Sequence, residues 1–180
     1  MRDGWFRFSN KPPPYLQMLD NTFGNCAPNA PRTFSVGFVN VICGKNVTVV
    51  QPSNIYGCSI GDDVFVGPFV EIQKDVVIGA RTRVQSHTFI CELVTIGQDC
   101  FIGHGVMFIN DRFSKGGPAR GDRTLWCRTS IGNSVSIGSN ATIMPVSICE
   151  GVVIGAGSVV TRDILVPGVY AGNPARLLLR

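Results

Sequence analysis

Two histidines, His87 and His104, are the chain's whole supply of side chains that titrate near neutral pH without help. Either could take a proton from a nucleophile as a new bond forms. Near them in sequence lie Glu92, Asn110 and Asp111, two acids and an amide suited to holding the amine or hydroxyls of a polar small molecule. A basic run follows at once. Arg112, Lys115, Arg120, Arg123 and Arg128 stand against Asp111 and Asp122, so residues 109–130 carry net +3 of the chain's +4. Cations clustered beside hydrogen-bonding acids suit a phosphate-bearing ligand. The seven cysteines (26, 43, 58, 91, 100, 127 and 149) are an odd set without a C-x-x-C pair, which argues against a zinc ribbon or a disulfide scaffold. No metal is expected.

These groups need elements to hold them. Valine and isoleucine number 22 and 15, while leucine numbers 8, and β-branched residues suit strands better than helices. With 21 glycines and 11 prolines, the strands must be short and the corners frequent. A six-residue period supplies the arrangement. Stepping by six from Ile60 gives Val66, Ile72, Ile78, Val84, Ile90, Ile96, Ile102 and Phe108. The period resumes at Ile131, Ile137 and Ile143, then at Ile148, Ile154, Val160 and Val166. Glycine often follows the anchor, as at Gly61, Gly67, Gly79, Gly97 and Gly103. A small or β-branched residue sits four places after it, from Val64 and Val70 to Cys100 and Val106. This is neither a helical period nor a hairpin's alternation. It describes short strands joined by corners that always turn one way, three sides to a coil, with coils stacked about 4.8 Å apart. Residues 42–59 keep the flavour but not the phase and read as an irregular first coil.

Stacking by one coil places Glu92 beneath Asn110, with Asp111 beside it, and Ser86 beneath His104. Residues 109–130 break the coil as a long loop, and long insertions in such a fold tend to form sites. Residues 1–31 hold five prolines and no period, and are expected to be a disordered N-terminal tail ahead of one domain spanning 32–180. The small, dispersed net charge points away from nucleic acid, and no apolar run is long enough to insert in a membrane. A cytoplasmic setting is expected.

The string VQSHTFICELVTIGQDCFIGHGVMFINDRF (residues 84–113) resembles the sugar-nucleotide 3-N-acetyltransferases, and is similar to the acetyltransferase half of WxcM-like proteins. The closing run Ile154–Arg176, with Gly155-Ala156-Gly157-Ser158 and Ala171-Gly172-Asn173-Pro174-Ala175, resembles the end of many acetyl-CoA-dependent hexapeptide enzymes. The resemblance covers roughly residues 35–176. It implies an all-β fold, a left-handed parallel β-helix of hexapeptide repeats with one inserted loop. The hand comes from the resemblance alone. It also implies transfer of acetyl from acetyl-CoA to the 3-amino group of a dTDP- or UDP-linked amino sugar, for surface polysaccharide or O-antigen (lipopolysaccharide) biosynthesis. The implied assembly is a homotrimer with sites between subunits. By the same resemblance, His87 and Glu92 are the catalytic candidates, and Glu92, Asn110, Asp111 and Arg112 bind the sugar nucleotide. Backbone groups near Gly138, Ala156 and Ser158, with Arg176, would line the CoA arm.

Other readings remain open. An O-acetyltransferase of a sugar or xenobiotic would rest on a catalytic histidine, and a non-catalytic β-helix scaffold would only bind. A zinc enzyme of the gamma carbonic anhydrase kind needs three histidines, and the chain has two. Because residues 1–31 lie outside the repeat, their deletion should leave oligomer size and turnover nearly unchanged. Size-exclusion chromatography showing insoluble or monomeric protein would contradict that expectation.

Overall fold

An apolar residue every sixth position can face inward only if the chain turns the same way after each short strand. The computed structural model describes residues 37–179, and within them the chain does so. It is a parallel β-helix with three faces. The first has seven strands, from Phe38–Val39 to Val159–Val160; the second has six, from Ile42–Cys43 to Ser147–Ile148; the third has eight, from Thr48–Val49 to Arg176–Leu177. All pairings between these strands are parallel except the last, where Arg176–Leu177 runs antiparallel to Val169–Ala171. Among the described residues the one helical element is a 3₁₀ turn at Arg123–Leu125, and no helix is long and apolar enough to cross a membrane. The expected tail, 1–31, and residues 32–36 lie outside the described residues.

The anchors Ile60 through Phe108 and Ile131 through Val160 are all buried and form one continuous core with the small residues four places on. Polar members of that inner set are satisfied by a neighbouring coil. Thr82 Oγ1 donates to Gly97 O and Thr88 Oγ1 to Gly103 O, each at 2.9 Å. On the outside the same register aligns charges, as in the two-pronged pair of Arg81 with Asp99, 2.6 and 2.7 Å.

The bend and the glycine fall at different places in the corner. Positive φ, between 55° and 70°, falls three places after the anchor, at Asp63, Phe69, Asp75, Arg81, His87, Leu93, Asp99, Ser134 and Asn140. The glycine directly after the anchor is needed for close approach instead. A Cβ on Gly61 would lie 2.7 Å from Ala80 N, and one on Gly67 2.8 Å from Ser86 N. In the corner between Ile143 and Ser147 no residue takes positive φ; that corner closes with one residue fewer, and Thr142 pairs with Val159.

Two expectations need correction. The irregular first coil starts earlier than residue 42, since Phe38–Val39 already pairs with Ile55 and Tyr56. Val166 is not an anchor: it is 61% exposed. The last coil is shortened, so Ile164 takes the inward place through a bridge to Ile148, and Tyr170 pairs with Ile154. Replacing a true anchor therefore opens a cavity, whereas Val166 has none to open. Ile102→Ala should lower the unfolding free energy by about 2–5 kcal/mol, and Val166→Ala by less than about 0.5 kcal/mol, measured by denaturant titration.

Candidate functional site

The inserted loop leaves the corner between the first and second faces. Where stacked partners are normally 18 residues apart, as Arg81 and Asp99 are, across the loop they are 35 apart, as Gln98 and Asn133 are. The base of the loop is zipped: Asp111 and Trp126 form an antiparallel bridge, and Cys127 N–H donates to Asn110 O at 2.8 Å. Asn110 lies over Glu92 as the sequence implies, its Nδ2 donating to the Glu92 carbonyl at 3.3 Å.

Several groups expected to meet a ligand are occupied by the loop itself. Asp111 accepts the N–H of Phe113 at 2.8 Å with one carboxylate oxygen and that of Ala119 at 2.6 Å with the other. Arg112 donates to the Pro145 carbonyl in a coil further on. Arg123 Nη2 hydrogen-bonds Asp75 Oδ2 at 2.6 Å and stands 2.8 Å from Glu92 Oε2, with its guanidinium 5.9 Å from the centre of the Trp126 ring. The Asp75 bond raises the guanidinium pKa further above its ordinary value. The Glu92 contact has an ion pair's distance but not a hydrogen bond's angles. Glu92 Oε2, sheltered from water, thus has no hydrogen-bond partner among the described residues. Lys115, Arg120 and Arg128 are exposed and make no ion pair among the described residues.

The histidines sit at another corner, between the third and first faces. Ser86 Oγ lies 2.9 Å from His104 Nδ1, one coil apart. His87, at φ 62°, leans its ring on Phe69, centroids 4.9 Å apart. Gly138 and Ala156 continue this corner toward the C-terminal end, where Ala171 packs close over Gly155 and Arg176 pairs with Ala171. Ser158 is fully buried and its hydroxyl accepts from Gly172 N–H at 3.1 Å, so its side chain braces the corner rather than facing outward.

One chain therefore keeps the candidate residues in two groups. His87, Gly138, Ala156 and Arg176 share the histidine corner, while Glu92, Asn110, Asp111 and Arg112 share the loop corner. Four residues, with the strand Phe89–Ile90 at their centre, separate His87 from Glu92, about 15 Å at the rise of a strand. Reading by residue types singled out Arg123 only as one cation of several and missed Asp75 and Phe69. Asp75 was within reach of the register, since it stacks beneath Leu93, next to Glu92. The buried cysteines have no chemistry here. Burial pushes the Cys58 and Cys91 thiols up to about 12, far from the thiolate a nucleophile requires.

Known proteins agree with the coil. Residues 57–92 match the bacterial transferase hexapeptide (six repeats), and residues 128–162 match the hexapeptide repeat of succinyl-transferase. The matches flank the inserted loop. The bifunctional protein GlmU of Dichelobacter nodosus (strain VCS1703A) is 34% identical over 130 residues, covering 67% of this chain and 28% of that protein. The chain thus spans under a third of the length of this curated relative. Galactoside acetyltransferase in complex with coenzyme A superposes with a TM-score of 0.56 at 26% identity, covering 78% of this chain and 64% of that one. A point mutant of perosamine N-acetyltransferase from Caulobacter crescentus, in complex with CoA and GDP-perosamine, has the same TM-score at 21% identity, covering 77% of this chain and 58% of that one. Coil and repeat together define a hexapeptide-repeat protein of the parallel β-helix type. Within that class the chain resembles the acetyltransferases.

Arg123 joins the loop to two coils at once, and the loop's order should depend on it. In Arg123→Ala, amide hydrogen exchange across residues 112–125 should quicken several-fold, as expected for losing half-exposed pairs worth up to about 1 kcal/mol each. Unchanged exchange there would show that Asp111 and Arg112 hold the loop without it.

Proposed function

We propose that the chain is an acetyl-CoA-dependent N-acetyltransferase whose acceptor is the 3-amino group of a dTDP- or UDP-linked amino sugar. The observation that carries this reading is one long cationic loop inserted into a hexapeptide coil, on a fold shared with an acetyltransferase in complex with coenzyme A. A structural neighbour that acts on a nucleotide-linked sugar, GDP-perosamine, supports the acceptor class.

The chemistry asks little of a base. A neutral amine already attacks a thioester, so the protein must bring the two together and favour the oxyanion that forms. Glu92 and Asn110 would hold the sugar, with Asp111 and Arg112 shaping the loop around it. Lys115, Arg120 and Arg128 are the cations left for phosphates. The histidine corner, with Gly138, Ala156 and Arg176, would receive the CoA arm. Since one chain holds these groups about 15 Å apart along a strand, the site is complete where the histidine corner of one copy meets the loop corner of the next. A closed ring of three copies satisfies every corner in this way. The product would serve surface polysaccharide assembly, with the enzyme in the cytoplasm where nucleotide sugars and acetyl-CoA are supplied.

The test is release of CoA thiol from acetyl-CoA across a panel of amino-sugar nucleotides, amino sugars and hydroxyl acceptors. Release is expected with dTDP- or UDP-linked 3-amino sugars and at least tenfold less with the free sugars. Release with hydroxyl acceptors alone would favour O-acetyl transfer, and release with none would favour a binding scaffold.

A further inference from the structure

We infer that Arg123, steered by Asp75, is the residue that aims the Glu92 carboxylate, fixing one of its oxygens so that the other faces the acceptor; this deepens the acetyl-transfer reading and rests on it. Glu92 is held at both ends. Asn110 Nδ2 donates to its carbonyl at 3.3 Å, which ties down the backbone. At the other end Arg123 Nη2 stands 2.8 Å from Oε2. That oxygen is shut off from water and has no hydrogen bond among the described residues. Oε1 accepts none among them either, yet the side chain keeps 16% of its surface exposed. Oε2 is therefore engaged by charge alone, and the open side of the carboxylate is Oε1.

Arg123 is itself placed before it reaches Glu92. It opens the 3₁₀ turn Arg123–Leu125, whose cap Asp122 accepts the Thr124 N–H at 3.0 Å and the Thr124 hydroxyl at 2.6 Å. Trp126 N–H donates back to Arg123 O at 3.2 Å, and Trp126 is bridged to Asp111 at the root of the loop. From this footing the guanidinium reaches the coil beneath, where Nη2 donates to Asp75 Oδ2 at 2.6 Å. Asp75 sits at φ 62°, its own N–H donating to Gly57 O at 2.9 Å. Asp75 thus takes the hydrogen bond with good angles, and Glu92 receives the charge.

An arginine that only ties coils together looks different. Arg81 meets Asp99 with two hydrogen bonds, 2.6 and 2.7 Å, and both side chains stand well out in water. That pair satisfies itself and leaves nothing over. At the loop root two carboxylates share one guanidinium, so the cluster keeps one net negative charge. A carboxylate with little water and a shared counter-charge is a strong acceptor of charge-assisted hydrogen bonds. Its complement is a donor-rich group, the amine or a hydroxyl of the sugar. A phosphate is repelled by the same charge, so Glu92 meets the sugar end of the ligand. Arg123 is a positioning residue in this scheme, because it touches Glu92 and not the ligand.

Kinetics of the full-length protein with acetyl-CoA and a dTDP-linked 3-amino-3,6-dideoxyhexose test the cluster. Arg123→Ala should lower kcat/KM for the sugar nucleotide about 20-fold and Asp75→Asn about fivefold, with KM for acetyl-CoA unchanged in both. One nitrogen, Nη2, makes both contacts, so a single ammonium can stand in for it, and Arg123→Lys should come within about threefold of wild type. Arg81→Ala, at another corner, should match wild type. The deciding comparison is made in a Glu92→Gln background, where adding Arg123→Ala should cost less than about twofold. An arginine that merely orders the loop would cost the same factor in both backgrounds, and that result overturns the inference. So does a rise in kcat/KM in Arg123→Ala, which would make Arg123 a plug over Glu92. A readout without ligand keeps this inference apart from the functional reading. In crystals of Arg123→Ala the Glu92 carboxylate should turn from its wild-type position, and in Arg81→Ala it should not. A carboxylate that stays put in Arg123→Ala overturns the inference whether or not the protein is active. A wild-type protein that transfers no acetyl sinks the functional reading, while the crystals still judge whether Arg123 aims Glu92. Thermal melts matching wild type exclude misfolding, and Asp75→Asn, read in the same assays, serves if Arg123→Ala melts early.

Discussion

Every coil hangs on the next by backbone hydrogen bonds, and that single constraint turns a linear code into columns. Ile102 N and O serve the ladder while its side chain faces the axis, so a core residue in one coil lies over a core residue in the last. The column demands nearly equal coil lengths. Where one residue is lost, after Ile143, the positive-φ position is lost with it, and the ladder still closes. The same constraint brings distant polar residues into contact at no cost in loop length, which is how Ser86 reaches His104 and Asn110 reaches the Glu92 carbonyl.

Among the described residues the loop is the one long insertion into the column, and its charges are spent mostly on order. A carboxylate sheltered from water is costly unless it is paired. Glu92 is sheltered by the loop, and the same loop brings Arg123 to it and to Asp75. Asp111 binds two backbone N–H groups that would otherwise lie unpaired across the loop's span. Three of the five cations remain outward. The electrostatic field the loop offers a ligand is therefore that of Lys115, Arg120 and Arg128, with Arg112 and Arg123 already committed.

The coil was legible because six-residue spacing, β-branched anchors and inward small residues all report one geometry, and Ile60 through Phe108 follow it without exception. Stacked pairs were legible by the same addition, as Glu92/Asn110 and Ser86/His104 show. Three things were not. Residue types do not reveal which atoms are already bonded, so Asp111 read as available when both its carboxylate oxygens serve the backbone. The period does not reveal where the last coil shortens, so Val166 read as buried. Register along the axis does not report position around it, so His87 and Glu92, close in sequence, lie on different corners of the coil.

Acetyl transfer between bound CoA and a nucleotide sugar requires these two corners to serve one ligand pair. A crystal of the protein with CoA and dTDP measures this directly. CoA should run along the corner of the two histidines, Gly138, Ala156 and Arg176. The nucleotide should lie against the 112–125 loop of an adjacent copy. CoA held away from that corner, or a nucleotide that leaves the loop untouched, would contradict the shared site.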